Sequence, residues 1–390
     1  MRKIVSILIC LALVVGCTAA FTSCGDTTRE VDMSLRSDTL YGLYWYGKDA
    51  TDSMRSQENM PTEYYDPSKP TVIYSHGWKM SNEEKEKMTT LAKTVSKTGG
   101  ASGEIDYVVE FKALGYNVAF WDWHAYAQLL PYLQNEIWVV KDAEALSERE
   151  KTKYKNYYDA LVALDGRSFA GELVRSLNAV MKEAEDKEVV FIGHSFGGQM
   201  VTAAAYTIYK LADEGLLSNN NIVPDRVTLA DPYMTGAEVF GQMDLLDETI
   251  EETPTALKAA EAFEYINSKG AVIDLYGAMK TMTYDAYKGM FAAPKELQSV
   301  IEQKIKENTV YVVQTALTDA YSTVGDVHVV SRDYVLTSYI EGKKGNMDGC
   351  VPRTSMTADE MRQYVGREFS LIGNGFDIAG ASMQEIVENP

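Results

Sequence analysis

The chain has 390 residues and a formal net charge of −19, from 37 Lys and Arg against 56 Asp and Glu. Apolar residues make up 46% and charged residues 24%, a globular balance that excludes a disordered or collagen-like chain, and so large an acidic excess repels phosphate backbones and argues against general nucleic-acid binding. Four cysteines cannot form a dense disulfide framework and four histidines leave little for a metal cluster, so any catalytic imidazole is His76, His124, His194 or His328.

Met1-Arg2-Lys3 is a short positive start, and residues 4–16 are apolar apart from Ser6, the layout of a secretory signal. No later stretch is apolar for the roughly 18 residues that a membrane span needs. Two segments resemble a bacterial lipobox, in which a small residue precedes a cysteine that becomes lipid-modified: Val14-Val15-Gly16-Cys17 and Phe21-Thr22-Ser23-Cys24. Cys17 has the better local consensus, whereas Cys24 is followed by a polar run, residues 25–30, that makes a better tether. Cys24 is the preferred lipidation site; Cys17 and simple cleavage near Ala19-Ala20 are the alternatives. The expectation is a signal over 1–24, a tether over 25–37, and a protein exported to the bacterial cell envelope and held at the membrane by its lipid. Cys350 then remains as the single free thiol. Removal of Arg2 and Lys3 takes the charge from −19 to −21.

Residues 38–47 are aromatic-rich and end in glycine, which predicts a strand; residues 48–70, rich in Asp, Ser, Asn and Pro, read as a loop. Residues 71–75 are a short, nearly continuous apolar strand of the kind buried on both faces of a parallel sheet. A charged helix is expected over 83–97, and a second buried strand over 116–121 after Gly115. Phe169, Leu173, Leu177 and Met181 recur every fourth position, an amphipathic helix within 166–185. Strands at 188–192, 226–229 and 309–313 and an Ala-rich helix at 197–213 complete the pattern. Strands alternating with helices predict an α/β fold with a mostly parallel sheet covered on both faces. Residues 125–165 and 233–305 read as helical insertions, the second as a candidate cap over one end of the sheet. Its Met and aromatic residues include Met243, Met279, Met282, Tyr284, Tyr287, Met290 and Phe291. Residues 38–345 make up the main domain, and 346–390 a C-terminal extension.

The chemistry centres on Gly193-His194-Ser195-Phe196-Gly197, a G-x-S-x-G pattern between the apolar strand 188–192 and the Ala-rich helix. A sharp strand-to-helix turn presents the serine oxygen at a helix N-terminus, where free N–H groups favour developing negative charge. Ser195 is therefore the candidate nucleophile, and His194 supports the elbow. The loop after strand 71–75, His76-Gly77-Trp78, supplies the other half of an oxyanion hole: Phe196 N–H is one donor and Trp78 N–H the second, with Gly77 letting the loop bend inward and His76 shaping it. A serine hydroxyl needs a base oriented by a carboxylate. His328, read as lying on a loop after the last clear strand, is the candidate base; His124 precedes the nucleophile and reads as a pocket wall or supporting residue. Asp231, at the end of strand 226–229, is the candidate acid. Asp319 lies too close to His328 for another helix and strand to intervene, and Asp326 could orient it only through a tight turn.

These segments resemble the lipase family of α/β hydrolases, in particular the branch containing the pancreatic and lipoprotein lipases. The resemblance runs over residues 38–342: Tyr74-Ser75-His76-Gly77-Trp78 is similar to that branch's oxyanion loop, residues 117–123 to its N-V-x-x-V-D-W strand, residues 193–198 to the elbow, Leu229-Ala230-Asp231-Pro232 to its acid strand, and residues 328–334 to the segment carrying its histidine. It implies an α/β-hydrolase fold and a catalytic Ser195–His328–Asp231, with the acid placed after the strand that follows the nucleophile helix. The cysteine-bridged lid of the animal enzymes and their C-terminal β-sandwich are absent. The expected activity is that of a serine hydrolase cleaving carboxylic esters, acyl esters or lipids, with no metal and no organic cofactor. An amidase or other acyl hydrolase, and a non-catalytic binding lipoprotein on the same fold, are the alternatives.

Overall fold

The computed structural model describes residues 29–78, 93–96, 103–127, 129, 134–234, 236–277, 295–314, 324–345, 352, 354–372 and 382–386. Residues 33–390 cluster as one unit. Its elements begin with β1 (Gly42–Tyr46), β2 (Ser53–Arg55), β3 (Thr71–Ser75), β4 (Lys93–Ser96), β5 (Gly103–Asp106), α1 (Tyr107–Ala113) and β6 (Asn117–Asp122). Five helices follow: α2 (His124–Ala127), α3 (Gln134–Trp138), α4 (Glu148–Lys153), α5 (Lys155–Leu164) and α6 (Phe169–Val180). Next come β7 (Val189–His194), α7 (Phe196–Asp213), β8 (Arg226–Ala230), β9 (Glu238–Gln242), β10 (Thr249–Pro254), α8 (Thr255–Ser268) and β11 (Val272–Gly277). The last are α9 (Lys295–Asn308), β12 (Val310–Val313), α10 (Val324–Lys343), α11 (Ala358–Arg362), β13 (Glu368–Ile372) and β14 (Ser382–Glu385).

Ten strands form one sheet in the order β14-β13-β12-β11-β8-β7-β3-β6-β1-β2. From β6 to β13 every pairing is parallel; β1 joins β6, and β14 joins β13, antiparallel. The central strands are fully buried because helices cover both faces, which is why they read as unbroken apolar runs. Alternation sorts their side chains. Val72, Tyr74, Val190 and Ile192 join the core beneath α1, α10 and α11, while buried Ile73 and Phe191 point to the opposite face, where α6 and α7 pack on each other. Each such apolar side chain contributes up to about 1.5–3 kcal/mol by leaving water. The chain runs from β3 outward to β6 and returns to β7 on the far side of β3, so the strand order reverses there. Ligands in open α/β sheets bind at the carboxyl ends of the strands beside such a reversal. This order, with a serine elbow after β7, is the α/β-hydrolase fold.

Several expectations change. Residues 93–96, expected at the end of a helix over 83–97, form β4 and pair with β5; residues 83–92 lie outside the described residues. The predicted loop 48–70 contains β2, which pairs with β1. Of residues 233–305, expected as a helical insertion, the described ones hold the β9–β10 hairpin, α8, the central strand β11 and most of α9. Phe263 and Tyr276 are buried in α8 and β11, and Met243 is buried in the hairpin region. Met279, Met282, Tyr284, Tyr287, Met290 and Phe291 lie outside the described residues.

Of residues 346–390, expected as a C-terminal extension, the described strands β13 and β14 continue the sheet. Arg226, fully buried in β8, donates to Asp274 of β11 at 2.8 and 2.5 Å and to the carbonyls of Thr354 and Met356 at 2.5 Å each. One guanidinium thus joins two strands and the C-terminal segment. Removing one partner of such a buried pair costs about 3–5 kcal/mol. At the other end, part of the expected tether is fastened down: Arg55 donates to the carbonyls of Arg36, Ser37 and Thr39, and Arg167 to that of Ser34.

Candidate active site

Ser195 sits between β7 and α7 with φ +57° and ψ −125°, a backbone conformation that a side chain rarely tolerates. Its surroundings hold it there. Its N–H donates to the carbonyl of Ala230 at 3.2 Å, and its own carbonyl accepts from Tyr233 N–H at 3.0 Å and Gly198 N–H at 2.9 Å. Glycines permit the crossing: a Cβ on Gly193 would lie 2.4 Å from the carbonyl oxygen of Gly197, and one on Gly197 would lie 2.1 Å from that of Ser75. The loop after β3 closes over the serine from the other side. A Cβ on Gly77 would lie 2.4 Å from Ser195 Cβ and 2.9 Å from its Oγ. Main-chain approach this close is open only to glycine.

His76 fixes that loop. Its Nδ1–H donates to the Gly77 carbonyl at 2.8 Å, its Nε2 accepts from Trp123 N–H at 3.3 Å, and its carbonyl accepts from the Trp123 indole at 2.9 Å. The Trp78 side chain, next along the loop, is 51% exposed. Phe196 is buried at the start of α7, its ring 4.7 Å from that of Tyr233.

Asp231 follows β8 with φ +42°, and its N–H donates to the carbonyl of Tyr276 at 2.7 Å. Its buried carboxylate accepts from His328 Nδ1 at 2.6 Å. His328 is the imidazole joined to the candidate acid, and it rides on α10 rather than on the loop expected for it. The rival Asp319 lies outside the described residues. A bond at Nδ1 leaves Nε2 as the basic nitrogen, the tautomer a base needs beside a serine. One turn on, Ser331 Oγ donates to Gln314 Oε1 at 2.5 Å and ties α10 to the end of β12.

Two further contacts complete the surroundings of the site. His194, buried beside the nucleophile, donates Nε2–H to the carbonyl of His328 at 3.0 Å, and the two rings lie 4.4 Å apart. Burial, then the neighbouring His328 and Arg332, push His194 well below the ordinary histidine range, so it stays neutral. Beside the oxyanion loop, His124 Nδ1 meets Asp122 at 2.7 Å, with His76 Nε2 at 3.6 Å from the same oxygen. Burial alone would raise the Asp122 carboxyl, but the hydrogen bond from His124 and the neighbouring His76 outweigh it and hold it below the usual carboxylate range. Proximity in sequence hinted at the Asp122–His124 pair; only the fold brings His194 to His328. Among the described residues, no group of three or more His, Cys, Asp or Glu side chains is arranged to hold a metal ion.

No known family model matches the chain, and no curated protein matches it. Among solved structures it is similar to a candidate carboxylesterase from Lactobacillus plantarum, with 12% identity over 70% of this chain and 84% of that one and a TM-score of 0.34. It is also similar to esterase B from Lactobacillus rhamnosis, at 13% identity over 87% and 98% of the two chains and a TM-score of 0.28. A third is a poly(3-hydroxybutyrate) depolymerase from Bordetella parapertussis, at 13% identity over 81% and 77% and a TM-score of 0.28. Likeness at this level carries no functional weight.

Proposed function

We propose that the protein is a serine hydrolase cleaving carboxylic esters through an acyl-enzyme, with Ser195 as nucleophile, His328 as base and Asp231 as its orienting acid. The observation that carries this reading is the 2.6 Å Asp231–His328 bond, with the His328 ring 4.4 Å from that of His194, the residue before a serine held at φ +57°. His328 Nε2 takes the Ser195 proton as Oγ attacks the acyl carbonyl. The resulting oxyanion accepts from Phe196 N–H, at the N-terminus of the 18-residue α7, and from Trp78 N–H. Collapse expels the alcohol with the proton from His328, and water repeats the sequence to free the acid. The close approach of Gly77 to Ser195 supports the oxyanion assignment. An acyl ester or lipid is the substrate class: exposed Trp78 and Val329, at 51% and 45%, give an apolar rim beside the oxyanion loop and the base.

Fluorophosphonate labelling tests the chemistry. Wild-type protein should label and turn over p-nitrophenyl esters, whereas Ser195→Ala should do neither at unchanged melting temperature. Asp231→Asn should label slowly, with kcat lower by roughly 10³–10⁴ because the imidazole tautomer is no longer fixed. A folded wild-type protein that does not label would mark a binding module on a hydrolase fold. Faster turnover of anilides than of esters would favour an amidase.

A further inference from the structure

We propose that His194 is a positioning residue for the base, holding His328 in place through that residue's own main-chain carbonyl. The proposal rests on the serine-hydrolase reading above. His194 ends β7, at the centre of the sheet, and the next residue is the nucleophile. Its side chain is almost fully buried, and it gives its Nε2–H to the His328 carbonyl at 3.0 Å. That carbonyl lies within α10, so the side-chain donor is a bond beyond what the helix itself requires. The bond ties base and nucleophile to one strand end. The two imidazoles also lie 4.4 Å apart at 38°, so the ring of His194 bounds one side of His328 while Asp231 holds its Nδ1.

The charge arrangement suits this role. Burial above all, then His328 and Arg332 on α10 and His76 on the oxyanion loop, disfavour a proton on His194 and outweigh the bond to the His328 carbonyl, while the Asp231 carboxylate holds His328. A neutral His194 lets His328 carry the imidazolium during turnover without a second cation against it. Its stable N–H also keeps donating at any pH where the base works. The elbow's second position thus sets the base's placement, and misplacing a reacting group by about 1 Å can cost on the order of 10² in rate.

The test compares His194→Phe, which fills the space without a donor, with His194→Gln, whose amide nitrogen can stand near the lost Nε2. On p-nitrophenyl butyrate the Phe variant should lose about tenfold to a hundredfold in kcat with KM nearly unchanged. The acid limb of its kcat/KM profile should move to lower pH, because a loosened ring loses part of its contact with Asp231. The Gln variant should recover most of the rate and the wild-type limb. Melting curves report folding; should the Phe variant not fold, His194→Met makes the same comparison. Wild-type kcat and pH profile in a folded donor-less variant, or equal loss in donor-less and Gln variants, would overturn the proposal. Ser195→Ala keeps the two ideas apart. Turnover that survives in it sinks the serine reading, whereas Ser195-dependent turnover with an unimpaired donor-less variant removes only the role of His194.

Discussion

A buried neutral imidazole leaves a signature on stability as well as on rate. His194 is pushed well below its ordinary value in the folded protein, chiefly by burial. In the unfolded chain it takes a proton near pH 6.5, as histidines do. Below about that pH the unfolded state binds a proton that the folded state refuses, so the stability tied to His194 is complete above it and declines as the medium is acidified. The melting temperature of wild-type protein should therefore fall more steeply between pH 7 and pH 5 than that of His194→Gln, whose side chain does not titrate. Parallel melting curves across that interval would mean that the native protein admits the proton. Glu136 and Glu172 run the other way, since burial raises both carboxyls and acid relieves them, but they are common to both proteins and cancel in the comparison.

At the scale of elements, legibility followed how local the cause was. The serine elbow could be read because its glycines and its strand–helix junction are neighbours in sequence, and Asp231 because β8 delivers it directly. The element carrying His328 could not. Helix α10 is buried around most of its circumference from Val330 to Ile340, so its sequence shows no apolar stripe, and its β-branched residues mimic a strand. Strand β11 was hidden by Asp274, a charge in the middle of a buried strand that makes sense only opposite Arg226. The last strands were missed for the same reason: β13 borrows its register from β12 and buries Phe369 and Leu371 against a core built by distant residues. A chain cut after residue 345 should consequently lose the cap on β12 and the carbonyl partners of Arg226, and be recovered as aggregate or as partly unfolded protein. A soluble truncated protein with a wild-type melting curve would show that the sheet is complete without these strands. Exposure of β12 as a new edge makes aggregation the expected route of failure.

For the molecule as a whole, we propose that the site works outside the cytoplasm on a lipid-anchored chain. Residues 1–28 lie outside the described residues, so this rests on the charged start, the apolar run and the cysteines of the sequence. Mass spectrometry of protein from the native membrane fraction should find a diacylated N-terminal cysteine, Cys24 in preference to Cys17, because two chains hold a protein at a bilayer where one is marginal. A soluble form beginning near Phe21 would remove the anchor. The order of the sheet then bears on how such a chain is made. Strand β12 waits for β13, and β13 for β14, so a nascent chain cannot complete its sheet until residue 385 has emerged. Contacts so distant in sequence form slowly. A polypeptide that must thread a secretion channel before it folds gains time from that delay, and the same late closure leaves the half-made sheet in need of a chaperone until its final strands arrive.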